Sequence, residues 1–123
     1  VQTVKEMKEM GCSTICIKDM AGVMTPKEAN DLIGAIKNAV PDMPVILHTH
    51  CTTGMAYMTI FQAIEAGCDV IDTATSCFSG GTSQPATSPS ETNISNRDFS
   101  SLRLLLPTQT LLLIKYRAVC FQI

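Results

Sequence analysis

Apolar positions in the first 87 residues switch repeatedly between helical and strand-like spacing. Val4, Met7 and Lys8 have helical spacing, and Gly11 is a natural C-terminal cap for that helix. Residues 13–18, Ser-Thr-Ile-Cys-Ile-Lys, then have the character of a short buried strand that ends at Lys18. The pattern predicts one helix followed by one short buried strand.

The start of the next helix is marked by three residues of known positional preference. Thr25 can cap the helix, Pro26 suits its first position, and Glu28 completes a capping box. Pro41 and Pro44 end the helix. Its predicted buried face consists of Ala29, Leu32, Ile33, Ile36 and Val40.

The alternation continues with a strand at residues 44–50, a helix at 55–66 and a strand at 69–74. Each unit takes roughly 25–30 residues, as parallel strands joined by crossover helices require. There is also an internal echo, because Glu-Met-Gly-Cys at 9–12 and Glu-Ala-Gly-Cys at 65–68 each precede a strand. Repeated units favour a (β/α) barrel, although the pattern leaves an open sheet possible.

Two histidines at the end of the second predicted strand are the candidate functional residues. His48 and His50 are two residues apart, so on a strand both imidazoles point to the same side. That arrangement suits two neighbouring ligands of one metal ion. Lys18 ends the preceding strand, and active sites of parallel barrels form at this end. A polar pair hydrogen-bonded at a strand end is the alternative.

Composition indicates one ordinary domain and excludes several classes of function. The chain has 123 residues, of which 46% are hydrophobic, and its net charge is −2. Such a charge gives no reason to expect nucleic acid as a partner. The sequence lacks a membrane-spanning run and a signal-peptide pattern. It begins with Val1, so we expect a fragment of a longer protein.

The six cysteines are scattered and form no C-x-x-C pair. We therefore expect free, buried thiols rather than disulfides. Cys51 next to His50 could suggest a nucleophile, but on a strand the two side chains would point in opposite directions.

The character of the sequence changes after Thr87. Residues 88–101 are rich in Ser, Thr and Asn without helical or strand spacing, and residues 102–123 are apolar with basic residues and no acid. One interpretation is a flexible linker with an amphipathic segment. The interpretation that we favour is a tail that is not native coding sequence, as a frameshift would produce. We thus divide the chain into residues 1–87 and a non-matching tail, 88–123.

Up to Thr87 the chain closely resembles the carboxyltransferase domain of biotin-dependent enzymes, a family that includes pyruvate carboxylase, the oxaloacetate decarboxylase alpha subunit and the transcarboxylase 5S subunit. Several motifs carry the resemblance in one order. They are Ile-Lys-Asp-Met-Ala-Gly at 17–22, Leu-His-Thr-His at 47–50, Thr-Thr-Gly at 52–54, Ala-Ile-Glu-Ala-Gly at 63–67, Val-Ile-Asp-Thr-Ala at 70–74 and Gly-Thr-Ser-Gln-Pro at 81–85.

The resemblance implies an α/β fold, here a partial TIM-type (β/α)8 barrel of about three units. It implies a divalent metal (zinc, manganese or cobalt) held by His48, His50 and a carbamylated Lys18. The implied reaction moves a carboxyl group between biotin, carried on a partner domain or subunit, and pyruvate or oxaloacetate. The parent protein is expected to be a homo-oligomer or multi-subunit complex. We expect it in the cytoplasm or the mitochondrial matrix, or peripherally on a membrane complex.

Parts of the family's site lie outside the matched segment. The aspartate ligand, and the arginine and glutamine that hold pyruvate, precede it, and the threonine that transfers a proton at biotin follows Thr87. We therefore expect this chain alone to be inactive. Two other functions stay open: an HMG-CoA-lyase-like metal-dependent lyase or condensing enzyme, and an inactive non-enzymatic remnant. Lys18 within Lys-Asp-Met favours carboxyl transfer over the lyase.

Four other features have structural interpretations beside functional ones. Asp19 could support the site or cap a loop, and Asp72 and Thr73 are expected to form structural hydrogen bonds at the same strand ends. Residues 80–83 weakly resemble a phosphate-binding loop but lack its lysine, so we expect a turn.

Overall fold

The computed structural model describes residues 1–87 in full and the backbone of residues 103–105 and 118–122. The helices and strands of the first part follow the predicted order. They are α1 (Gln2–Glu9), β1 (Thr14–Asp19), α2 (Pro26–Ala39), β2 (Val45–Thr49), α3 (Ala56–Glu65) and β3 (Val70–Asp72). A single 3-10 turn, Ser76–Phe78, follows β3. No helix in the described part of the chain is long and apolar enough to cross a membrane.

The described strands belong to one parallel sheet, with β1, β2 and β3 side by side in chain order. Two further strands, β4 (Arg103–Leu105) and β5 (Ala118–Gln122), extend it next to β3 and β1 respectively. The three predicted strands are β1, β2 and β3; β4 and β5 lie in the segment after Thr87, for which the sequence predicted no strand. These short segments pair with the outer edges of β1 and β3, and such edge pairing does not depend on a repeating pattern in the sequence. The predicted linker at 88–101 lies outside the described residues.

The two faces of the sheet differ in chemistry. Ile15, Ile17, Val45, Leu47 and Ile71 are buried in one cluster with apolar residues of the helices. Helices α2 and α3 contact each other on this side, where the Asn30 side chain donates a hydrogen bond to the Gln62 carbonyl (3.3 Å). Because side chains alternate along a strand, Lys18 and His48 project from the other face.

Local signals explain the helix ends. Thr25 and Glu28 form the predicted capping box, with the Glu28 carboxylate accepting from the Thr25 amide at 2.8 Å. The two echoed segments adopt the same C-terminal motif. Cys12 N–H donates to the Met7 carbonyl, and Cys68 N–H donates to the Ala63 carbonyl, each at 3.0 Å. Both repeats therefore direct a helix into a strand in the same way.

At the end of the sheet opposite the histidines, Asp69 connects several elements by hydrogen bonds. Its carboxylate accepts from the Lys37 ammonium at 3.0 Å and from the Val45 amide at 2.8 Å. These bonds connect α2, the start of β2 and the residue before β3. They stabilise the fold at a distance from the candidate site.

The cysteines with described side chains are all free, as predicted. Cys16 and Cys68 are buried, Cys12 and Cys51 are half-buried, and Cys77 is exposed, so the expectation of burial is only partly correct. The side chain of Cys120 lies outside the described residues.

Candidate metal centre

Three polar side chains form a row across the sheet. Lys18 on β1 is paired in register with His48 on β2. Leu47 is paired with Ile71 on β3, which places Asp72 beside His48. Each of the three lies at or next to the last residue of its strand, so the row lies at the carboxyl ends of the strands. The strand register therefore places Lys18 beside His48.

Each histidine is oriented by a hydrogen bond at its Nδ1 atom. His48 Nδ1 lies 2.8 Å from a carboxylate oxygen of Asp72, and His50 Nδ1 lies 2.6 Å from the carbonyl oxygen of Thr82. Carboxylate and carbonyl oxygens only accept, so both Nδ1 atoms are the protonated nitrogens. In the neutral form of each ring, the lone pair is consequently on Nε2.

The two Nε2 atoms converge to 3.0 Å. Two lone pairs at this distance repel unless a proton or a cation lies between them. Two metal–nitrogen bonds of about 2.1 Å that meet at about 90° would span about 3.0 Å. A carboxylate or carbonyl behind each imidazole is also the usual support of a metal-binding histidine. The donor set and its spacing thus fit a divalent metal ion.

Backbone contacts fix the position of His50, which lies one residue beyond β2. Its N–H donates to the Asp19 carbonyl at 3.2 Å. A Cβ on Gly22 would stand 2.2 Å from the His50 carbonyl oxygen, so only glycine permits this approach. The Thr53 hydroxyl donates to the Gly22 carbonyl. The loop after β1 therefore fixes, through these contacts, the backbone position of the loop that contains His50.

Asp19 supports a loop and does not face the histidines. Its carboxylate accepts from the amides of Val23 (3.0 Å) and Met24 (3.1 Å) and from the Thr49 hydroxyl (2.9 Å). The side chain is buried among these donors. Of the two roles predicted for Asp19, loop capping is the one found.

Lys18 is half-buried at the end of β1. Within the described part of the chain, its ammonium has no hydrogen bond or ion pair. In the same part, no three His, Cys, Asp or Glu side chains cluster so as to hold a metal ion. A metal ion held by the two histidines would therefore need donors of another kind, and Lys18 is the neighbour of His48 in register.

The segment after the 3-10 turn returns to the histidines. Residues 80–83 form the expected turn, in which Ser83 N–H donates to the Gly80 carbonyl at 2.9 Å. Carbonyl groups of this turn face the site, since Thr82 accepts from His50 and Ser83 accepts from the Cys51 amide at 2.8 Å. A phosphate-binding loop would present N–H groups, so that interpretation is not supported.

Sequence reasoning missed the role of two residues. For Asp72 the sequence predicts structural hydrogen bonding at the strand ends, and the structure shows that its partner is His48. The position of Asp72 at the end of the next strand was the available signal. Gln84 entered only as part of a motif, yet its amide nitrogen lies 3.1 Å from His48 Nε2 and 3.5 Å from His50 Nε2. No local pattern indicates this contact, because a loop return creates it.

Cys51 has the surroundings of a packing residue. Burial raises the pKa of its thiol above the ordinary value. A raised pKa reduces the thiolate that a nucleophile needs. The structure therefore gives no support to a Cys–His nucleophile beside the two histidines.

Known proteins of similar sequence place this site in a family. The profile of the HMGL-like family matches residues 1–81. The chain belongs to the HMGL-like family. It is 49% identical over 87 residues to a pyruvate carboxylase component of Methanocaldococcus jannaschii, covering 71% of this chain. It is 51% identical over 86 residues to pyruvate carboxylase of Staphylococcus aureus, covering 70% of this chain.

Solved structures of similar fold come from the same kind of protein. The carboxyl transferase domain from Rhizobium etli pyruvate carboxylase, solved with pyruvate and biocytin, superposes with a TM-score of 0.77 at 35% identity. The superposition covers 85% of this chain and 17% of that one. The resemblance to carboxyltransferase domains is thus confirmed. The chain spans only 15% and 7% of the two curated relatives.

Proposed function

We propose that this chain supplies about three βα units of a metal-dependent carboxyltransferase barrel, with Lys18, His48 and His50 as metal ligands. The observation that carries the proposal is the convergence of the two Nε2 atoms at 3.0 Å, with each Nδ1 already bonded to an acceptor. Such a pair is prepared to bind a cation, since no ring rotation is needed.

Lys18 becomes a ligand in this proposal by carbamylation. The neutral amine attacks carbon dioxide, an N–C bond forms, and the nitrogen loses a proton to solvent. The product is an anionic carbamate whose oxygens suit a divalent ion, whereas a protonated ammonium cannot ligate. Its pairing with His48 across adjacent strands supports this assignment.

The residues of this chain would hold the ion and keep it oriented. A bound divalent metal supplies Lewis acidity toward the keto oxygen of pyruvate or oxaloacetate. Asp72 keeps His48 in the tautomer with a free Nε2, and the Thr82 carbonyl does the same for His50. Gly22 fixes the backbone at His50 by close contact. The chain's contribution is thus a preorganised half of a coordination shell.

The partners proposed for the parent protein follow from its relatives. The Rhizobium etli domain was solved with pyruvate and biocytin, and the matched curated relatives are pyruvate carboxylases. We therefore propose pyruvate or oxaloacetate as substrate and a biotin carrier as partner. The same relatives lead us to prefer carboxyl transfer to the acyl-CoA lyase alternative.

Calorimetric titration of the purified chain with Co²⁺ in bicarbonate buffer tests the metal site. We expect one site that is lost in His48→Ala and His50→Ala. Intact-mass measurement should show a carbon dioxide adduct that is absent in Lys18→Met. Binding that survives both histidine substitutions would reject the proposed centre and favour a remnant without a site. An adduct that survives Lys18→Met would reject carbamylation at Lys18.

A further inference from the structure

Gln84 is the side chain nearest to the two facing imidazole nitrogens. Its amide nitrogen lies 3.1 Å from His48 Nε2 and 3.5 Å from His50 Nε2, and those two atoms are 3.0 Å apart. The three atoms form a triangle with sides of 3.0, 3.1 and 3.5 Å. A face of an octahedron with metal–ligand bonds of about 2.1 Å has edges of about 3.0 Å, so the triangle has the size of three adjacent ligand positions.

The carboxamide can present either of its two polar atoms at this corner. In the arrangement shown, the N–H₂ group donates toward imidazole lone pairs, while Gln84 Oε1 accepts from the Ser83 hydroxyl at 3.2 Å. Rotation of the amide by about 180° exchanges oxygen and nitrogen without moving the rest of the side chain. The Ser83 hydroxyl can then accept from the N–H₂ group, because a hydroxyl both donates and accepts. Ser83 therefore satisfies one end of the amide in both orientations, and in the second orientation a cation between Oε1 and the two Nε2 atoms would satisfy the other end.

A backbone hydrogen bond fixes the position of Gln84, so that its side-chain amide stays beside the histidines in either orientation. The Gln84 carbonyl accepts from Gly80 N–H at 3.0 Å, which closes the turn that carries Thr82 and Ser83. The carbonyl groups of Thr82 and Ser83 bind His50 and Cys51. The side chain thus belongs to the same hydrogen-bonded unit as His50, and it does not reach the site as a loose surface group.

We propose that Gln84 is a further ligand of the metal site, binding the ion through its carboxamide oxygen. When the ion is absent, the same amide donates its hydrogens to the histidine lone pairs and reduces their repulsion. This inference rests on the proposed metal-binding function and adds a neutral oxygen donor to His48, His50 and Lys18. Neutral amide oxygens are suitable ligands for hard divalent cations such as Mn²⁺ and Mg²⁺.

The test uses the full chain, Mn²⁺ titration by calorimetry and three variants. We expect Gln84→Leu to weaken Mn²⁺ binding about tenfold, and Gln84→Glu, which supplies an anionic oxygen at the same reach, to bind more tightly than Gln84→Leu. Gln62→Leu is the matched control, because Gln62 makes the same kind of amide contact, accepting from Asn30 at 3.2 Å, on the far side of the sheet. It should leave the affinity unchanged. Circular dichroism checks that each variant folds. If Gln84→Leu does not fold, the Mn²⁺ affinity of Gln84→Glu is compared with that of the unchanged chain, and an affinity equal to or tighter than that of the unchanged chain supports an oxygen ligand at this position.

A second readout follows the amide itself. On titration with Zn²⁺, the side-chain N–H₂ signals of Gln84 in a ¹H–¹⁵N spectrum should shift, whereas those of Gln62 should not. Mn²⁺ affinity in Gln84→Leu equal to or tighter than that of the unchanged chain would overturn the inference. The metal site itself would still stand if His48→Ala abolished binding in the same experiment. Absence of histidine-dependent binding in the unchanged chain would overturn both.

Discussion

His48 and Asp72 are joined by a hydrogen bond of 2.8 Å between imidazole Nδ1 and a carboxylate oxygen. The two residues lie on neighbouring parallel strands, and their side chains are 16% and 28% exposed. The carboxylate fixes both the ring orientation and the tautomer, which leaves Nε2 free to face His50. This pairing gives the two histidines the orientation that the proposed metal site requires.

We expect Asp72→Asn to weaken metal binding by about 10- to 100-fold. An amide at this position can donate its N–H to Nδ1, which would move the imidazole proton to Nε2 and block the lone pair. Titration calorimetry with Co²⁺ measures the change. Asp69→Asn is the matched control at the other end of the same segment, where the carboxylate binds Lys37 and Val45. Equal affinity in the Asp72→Asn chain and the unchanged chain would contradict the role given to Asp72.

Gly22→Ala should both destabilise the chain and impair the metal site. The added methyl would stand 2.2 Å from the His50 carbonyl oxygen, in a backbone conformation (φ +65°) that alanine disfavours. We expect a loss of about 2 kcal/mol or more in the free energy of unfolding, measured by urea denaturation. Gly34→Ala is the control, since a Cβ there meets nothing within 4 Å and the residue lies in α2. That change should stabilise the helix by up to about 1 kcal/mol. Similar effects of the two substitutions would be inconsistent with the contact at His50.

The stability of the chain should fall at alkaline pH because of Cys68. Burial raises the pKa of its thiol from 9.0 to about 12. Between these values the unfolded state loses the thiol proton and the folded state keeps it, so the free energy of unfolding decreases as pH rises. We expect a loss of about 1–2 kcal/mol between about pH 9 and pH 11 that is absent in Cys68→Ala. Urea denaturation at both values measures it, and parallel losses in the two proteins would exclude Cys68 as the cause.

The isolated chain should show no metal-dependent decarboxylation of oxaloacetate. In the proposed function, this chain supplies the histidines and the lysine, while the remaining ligand and the substrate-holding residues of the family's site are not in the matched segment. An assay that follows oxaloacetate loss, with and without chelator, measures this. His48→Ala sets the background from free metal. A chelator-sensitive rate clearly above that background would refute the prediction.

The order of elements could be read from the sequence because the signals are local. A capping box at Thr25 and glycine-terminated helices before Cys12 and Cys68 depend only on residues a few positions apart. The apolar runs at residues 15–17 and 45–47 likewise indicate β1 and β2 from local sequence alone. The strands β4 and β5 were not predicted, because edge pairing depends on what the neighbouring strand leaves unpaired.

The sequence by itself determined the helix–strand alternation and the placing of Lys18, His48 and His50 at strand ends, since these follow from periodicity and capping. Only the tertiary structure decided that Asp72 and the Thr82 carbonyl orient the imidazoles and that Gln84 completes a triangle with their Nε2 atoms. Those contacts join residues 24 to 36 positions apart. They depend on the register between strands and on the path of one loop, which no short-range pattern encodes.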